Sequence, residues 1–95
     1  GIKMPDNSMC EEAIKEGASV IIRKDAVIGN GDIVAAVYND HDAVIRKYYK
    51  ESDTVVLKAA NSTGLYPDIR LDLTKDRFVL IGKVVHCTNY FGKNK

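Results

Sequence analysis

The sequence lacks any apolar run that could cross a membrane as a helix. Runs such as Val20–Ile22 and Phe78–Ile81 fall far short of the ~20 residues such a helix needs. Residues Gly1–Ser8 show no basic, apolar and small-residue succession, so no signal peptide is expected. Cysteine is scarce. Cys10 and Cys87 are too few for a disulfide scaffold and read as free thiols in a reducing cytoplasm. Charge of one sign is missing too: 14 basic side chains face 13 acidic ones, for a net charge of +1. That balance excludes a broad electrostatic grip on nucleic acid, which needs a concentrated basic surface. Any DNA contact is expected from something outside this chain. Repeats, low-complexity tracts and Pro/Ser/Gly linkers are likewise absent.

What remains describes one small domain. At 95 residues, 45% hydrophobic and 28% charged, the chain is apolar enough for one core and too apolar for disorder. The expected domain covers residues 1–92, with 93–95 a disordered tail. The start at Gly1, inside what reads as a strand, suggests a piece of a longer protein.

β-Branched runs alternate with turn chemistry along the chain. Strands are expected over Ala18–Arg23, Ile33–Tyr38, Ala43–Tyr49, Thr54–Ala60 and Phe78–Thr88. Gly29–Asp32 is a strong turn signal, because Gly and Asn tolerate positive φ. Asn39–Asp42 closes a hairpin between the second and third strands, and Asn61–Asp68 reads as a long loop. The one helical candidate, Cys10–Lys15, is too short to stand without docking on the sheet. The fold class is mainly β, with little helix: a small folded sheet or partly open barrel of short antiparallel strands.

Chemistry concentrates at Asp6-Asn7-Ser8-Met9. Ser8 reads either as a helix N-cap or as a nucleophile presented at a strand end, with nearby N–H groups as an oxyanion site. Other constellations are weaker. Cys10, His41, His86 and Cys87 have no compact zinc spacing, and neighbouring His86 and Cys87 would face opposite sides of a strand. Neither a metal nor a cofactor is expected. Tyr48 and Tyr49, with Arg46, Lys47 and Lys50, read as a hairpin strand with one aromatic inward and basic groups outward rather than as a nucleic-acid patch.

Taken together, the chain resembles the C-terminal domain of LexA-like and lambdoid phage repressors, a family of self-cleaving serine peptidases that also includes UmuD. The resemblance runs from Ile2 to Tyr90. Asn7-Ser8-Met9 resembles the nucleophile motif, and Ile14–Gly17 the stretch leading into the next strand. Gly31-Asp32-Ile33-Val34-Ala35, then Leu57 with Asn61, Tyr66 and Pro67, then Ile81-Gly82-Lys83-Val84-Val85 follow in the family's order.

By this resemblance Ser8 holds the nucleophile position, Asn7 and Met9 the oxyanion or positioning places, and Ala43–Tyr48 the strand that carries a neutral lysine base. The base position falls on Arg46. A buried lysine can be driven towards neutrality by desolvation. An arginine would have to drop about six pKa units, or some 8 kcal/mol, and cannot act as a base. Lys47 is the alternative base, but adjacent strand residues point to opposite faces, so only a bulge or register slip would aim it at Ser8. Asp6, where the family usually has glycine, is a second departure that bears on oxyanion geometry.

The resemblance implies a repressor domain that dimerises through the C-terminal strand around Lys83–Tyr90. DNA would be bound only by an N-terminal helix-turn-helix domain outside this chain. The alternatives are an active self-cleaving peptidase using Lys47 and a UmuD-like polymerase-accessory protein. Family members cut their own chain upstream of the serine, and the seven residues before Ser8 read as the strand that feeds it rather than as a substrate.

Overall fold

The computed structural model describes residues 2–6, 8, 9, 14 and 16–88. Seven strands form one antiparallel sheet: β1 (Ile2–Lys3), β2 (Ser19–Arg23), β3 (Ile33–Tyr38), β4 (Val44–Glu51), β5 (Thr54–Lys58), β6 (Ile69–Asp72) and β7 (Phe78–Thr88). Their order across the sheet is β1-β2-β7-β3-β4-β5-β6. There is no helix among the described residues. The architecture is the mainly β, curled, partly open sheet expected from the sequence.

β3 and β7 have the expected bounds. β2 starts one residue late, β5 ends at Lys58 rather than Ala60, and β4 is shifted to run two residues past Tyr49. β6 is a correction: no strand was expected at Ile69–Asp72, yet it pairs with β5 from Leu57↔Ile69 to Thr54↔Asp72. Its side chains alternate, with Leu71 buried and Arg70 exposed, but four residues between Asp68 and a turn are too few to show a clear period. The helical stretch expected over 10–15 lies outside the described residues except for Ile14. That residue bridges to Met9, with its N–H donating to the Met9 carbonyl at 3.2 Å. The tail expected at 93–95 also lies outside them.

Two apolar clusters lie against the sheet, and β3 separates them. Ala35 packs with Met4, Met9, Ile14, Ala18, Val20 and Ile45, whereas Val34 and Ala36 pack with Tyr48, Val55, Leu57 and Leu71. Burial on both faces explains why β3 reads as the continuous run IVAAVY rather than as an alternating strand. In β4 the expected burial holds for Tyr48, which is buried, and for Lys50, which is exposed near the strand's end. Arg46 is the correction: this basic side chain points inward and is 6% exposed, because polar partners meet it there.

β7 joins the two halves. It pairs with β2 over Lys83–Thr88 and with β3 over Phe78–Lys83. Val85 is the extra residue where the β2 ladder shifts between Ile21 and Ile22, and Ile81 the extra residue where the β3 ladder shifts between Ala35 and Ala36. Such bulges bend a long strand and increase its twist. Gly82 sits at the hand-over. A Cβ there would lie 2.6 Å from both the Arg23 carbonyl oxygen and Ile22 Cγ2.

Gly82→Ala should therefore destabilise the fold by about 1–3 kcal/mol, the usual cost of overpacking a tight interior site. Urea denaturation checks this; an unchanged midpoint would mean that β2 can move away from Gly82 without loss.

Candidate functional site around Ser8 and Arg46

The segment carrying Ser8 is fixed on both sides by backbone bonds. Met4 N–H donates to the Ala18 carbonyl at 2.8 Å, Gly17 N–H to the Met4 carbonyl at 2.9 Å, and Ala60 N–H to the Ser8 carbonyl at 2.6 Å. The fully buried side chains of Met4 and Met9 anchor it in the first cluster. Ser8 itself is fully buried.

Arg46 arrives from β4. It stands opposite Val34 on β3, and Lys47 beside it stands opposite Ile33 and Lys58. The two side chains therefore leave opposite faces of the strand. Arg46 shares its face with Val44 and Tyr48 of the second cluster, while Ser8 adjoins Met9 of the first. The guanidinium thus lies where the two clusters meet.

Its partners are specific. Arg46 Nη1 donates to Ser8 Oγ and, at 2.9 Å, to the Ile45 carbonyl. Arg46 Nη2 lies 3.5 Å from Asp6 Oδ2. The Tyr66 ring lies over the guanidinium, 5.8 Å from its carbon to the ring centroid, within cation–π range. Nε is buried and has no hydrogen-bond partner among the described residues. Asp6 in turn accepts the Ser8 N–H on Oδ1 at 3.0 Å, the closed turn that an aspartate makes with the residue two positions on.

Partial burial pushes the Asp6 carboxyl up. Hydrogen bonds from the Ser8 hydroxyl and N–H, followed by the Arg46 guanidinium, outweigh that burial and hold it below the ordinary carboxylate range. Ser8 therefore accepts from a cation at Oγ and donates to a carboxylate through its backbone N–H. A guanidinium offers five donors and no acceptor, so it can orient the hydroxyl but cannot take its proton. A carboxylate with a lowered pKa is a poor base for a hydroxyl.

Of the other residues singled out from the sequence, Asn7 and Cys10 lie outside the described residues. Met9 is a core side chain. His41 stacks on Tyr38 at 4.5 Å, His86 Nε2 lies 3.2 Å from Thr88 Oγ1, and Cys87 packs half-buried against the first cluster. Among the described residues no three of His, Cys, Asp and Glu come together as a metal site would require. The role missed from sequence is that of Asp6 as a direct partner of both Ser8 and Arg46. Its position two residues before Ser8 is the available signal.

The lowered Asp6 pKa fixes a pH dependence. Its folded value lies below its unfolded value, so its stabilisation is complete above the unfolded value near 3.9 and is lost as pH falls through the folded one. Asp6→Asn should cost about 1 kcal/mol at pH 7, the scale of one screened ion pair with its hydrogen bond. It should also remove part of the acid-induced loss. Thermal melts of both chains between neutral pH and pH 2.5 check this, and parallel curves would contradict it.

Comparison with known proteins identifies the family. The chain is 37% identical to the LexA repressor of Finegoldia magna over 84 residues, covering 88% of this chain and 37% of that protein. It is 34% identical to the LexA repressor of Pseudothermotoga lettingae over 91 residues, covering 96% of this chain and 44% of that protein. The chain thus spans less than half the length of these curated relatives. The family model described as Peptidase S24-like matches residues 1–85, and with it the chain belongs to the Peptidase S24-like family as a domain of the LexA-like C-terminal kind.

Proposed function

We propose that this chain, over residues 1–92, is the dimerisation and regulatory domain of a cytoplasmic LexA-like or phage-type transcriptional repressor, with a peptidase-like site that does not cleave. The observation that carries the second part is the hydrogen bond from Arg46 to Ser8. In the self-cleaving members that the chain resembles, a neutral lysine takes the serine proton. Here the side chain reaching the hydroxyl is a guanidinium, which has no lone pair to accept it. Lys47 leaves the opposite face of β4, which speaks against it as a substitute base.

Dimerisation draws support from β7. Past Lys83 its β3-side edge carries no strand among the described residues, and Val85 and His86 on this stretch are exposed. An open edge with an exposed apolar side chain invites pairing, and two copies can satisfy each other about a two-fold axis. A dimer would raise the effective concentration of two DNA-binding heads without this domain touching DNA. The helix-turn-helix head itself would lie upstream of Gly1, and sequencing that region separates a repressor from a UmuD-like accessory protein.

Two outcomes are expected. Sedimentation of the chain at high micromolar concentration should show a dimer that Val85→Lys disrupts; a monomer throughout would contradict the assembly. Full-length protein incubated at high pH should yield no fragments, whereas Arg46→Lys should restore some cleavage there. Fragments from the native protein that disappear with Ser8→Ala would overturn the inactive-site reading.

A further inference from the structure

We propose that Asp6 is a positioning residue that holds any cation at position 46 in its protonated state, so that Ser8 would stay unactivated at neutral pH even with a lysine in place of Arg46. The inference rests on the reading of position 46 as the base position, and it adds that Arg46 is only half of the block.

The geometry carries it. Asp6 does not meet the guanidinium as a freely swinging surface carboxylate. Its Oδ1 is tied to the Ser8 N–H at 3.0 Å, which leaves Oδ2 facing Arg46 Nη2 at 3.5 Å. The segment is itself bound through the Met4 and Ser8 backbone to Gly17, Ala18 and Ala60, so the carboxylate withdraws only by giving up its bond to the Ser8 N–H. Among the described residues, the charged and titratable groups that face the guanidinium are Asp6, from the segment before Ser8, and Tyr66, from the loop after β5. From β3 it meets the apolar Val34, and Lys47 leaves the other face.

A carboxylate this close favours the charged form of a neighbouring cation by about 1–3 pKa units. Burial acts in the opposite direction, disfavouring charge. With Asp6 present the two effects oppose each other. With Asp6 made neutral, desolvation of a lysine at this buried position would act alone and bring it towards the range where it can accept a proton. Coupling of this kind is reciprocal: the Arg46 guanidinium lowers the Asp6 pKa in turn, after the larger effect of the Ser8 hydrogen bonds.

The test compares Arg46→Lys with Arg46→Lys/Asp6→Asn in this 95-residue chain, following the ¹³Cε shift of the introduced lysine against pH. Its midpoint should fall by about one pH unit or more in the double variant. Coincident midpoints would overturn the proposal. Should the lysine variants fail to fold, the ¹³Cγ titration of Asp6 in the native chain and in Arg46→Met decides: a midpoint that rises when the cation is removed supports the fixed pair, and an unchanged one overturns it. Self-cleavage of the two full-length variants separates this proposal from the reading beneath it. A cleavage profile displaced to lower pH in the double variant supports both. Displaced lysine midpoints with no cleavage in either variant uphold the role of Asp6 and overturn Ser8 as a latent nucleophile.

Discussion

A guanidinium buried at the junction of two apolar clusters is the constraint on which the site depends. Removing such a charge from water is costly unless hydrogen bonds and an opposite charge replace the water. Arg46 obtains these from Ser8, the Ile45 carbonyl, Asp6 and the Tyr66 face. The same contacts explain why the residues before β2 lie where they do. Ser8 is held as an acceptor for Arg46, and Asp6 is turned towards it by the Ser8 N–H. The serine at the resembling position is thus a hydrogen-bond partner of a cation.

The sheet supplies the platform. β7 reaches both halves because two bulges bend it and because Gly82 lets the end of β2 approach within the space a methyl group would occupy. β3 is covered on both faces, so β4 beside it is fixed in register, and Arg46 is delivered inward while Lys47 is not. A one-residue slip in β4 would exchange the two side chains. Register is therefore the link between the apolar pattern of the strands and the chemistry of the site.

Much of this could be read from the residues. β3 and β7 have strong β-branched runs between turn residues, and their bounds are those expected. β6 was not legible, since Ile-Arg-Leu-Asp is too short for its alternation to stand out beside the loop that precedes it. β5 stops at Lys58 because the chain turns away there to pass Ser8, a tertiary effect invisible to local propensity. The Ser8 motif and the place of Arg46 emerged through resemblance. That Asp6 touches both did not, because a contact across 40 positions depends on the register of the sheet and not on spacing along the chain. The resemblance implies two separate departures from the family pattern, at Asp6 and Arg46, and in the structure these two residues form one ion pair.

The central claim is that Ser8 and Arg46 act as a bonded structural pair. A double-mutant cycle on Ser8→Ala and Arg46→Met, read by urea denaturation at pH 7, tests it most directly. A hydrogen bond to a charged group in this setting predicts a coupling energy of about 1.5–3 kcal/mol. Costs that simply add would show that the serine and the guanidinium are neighbours without being partners.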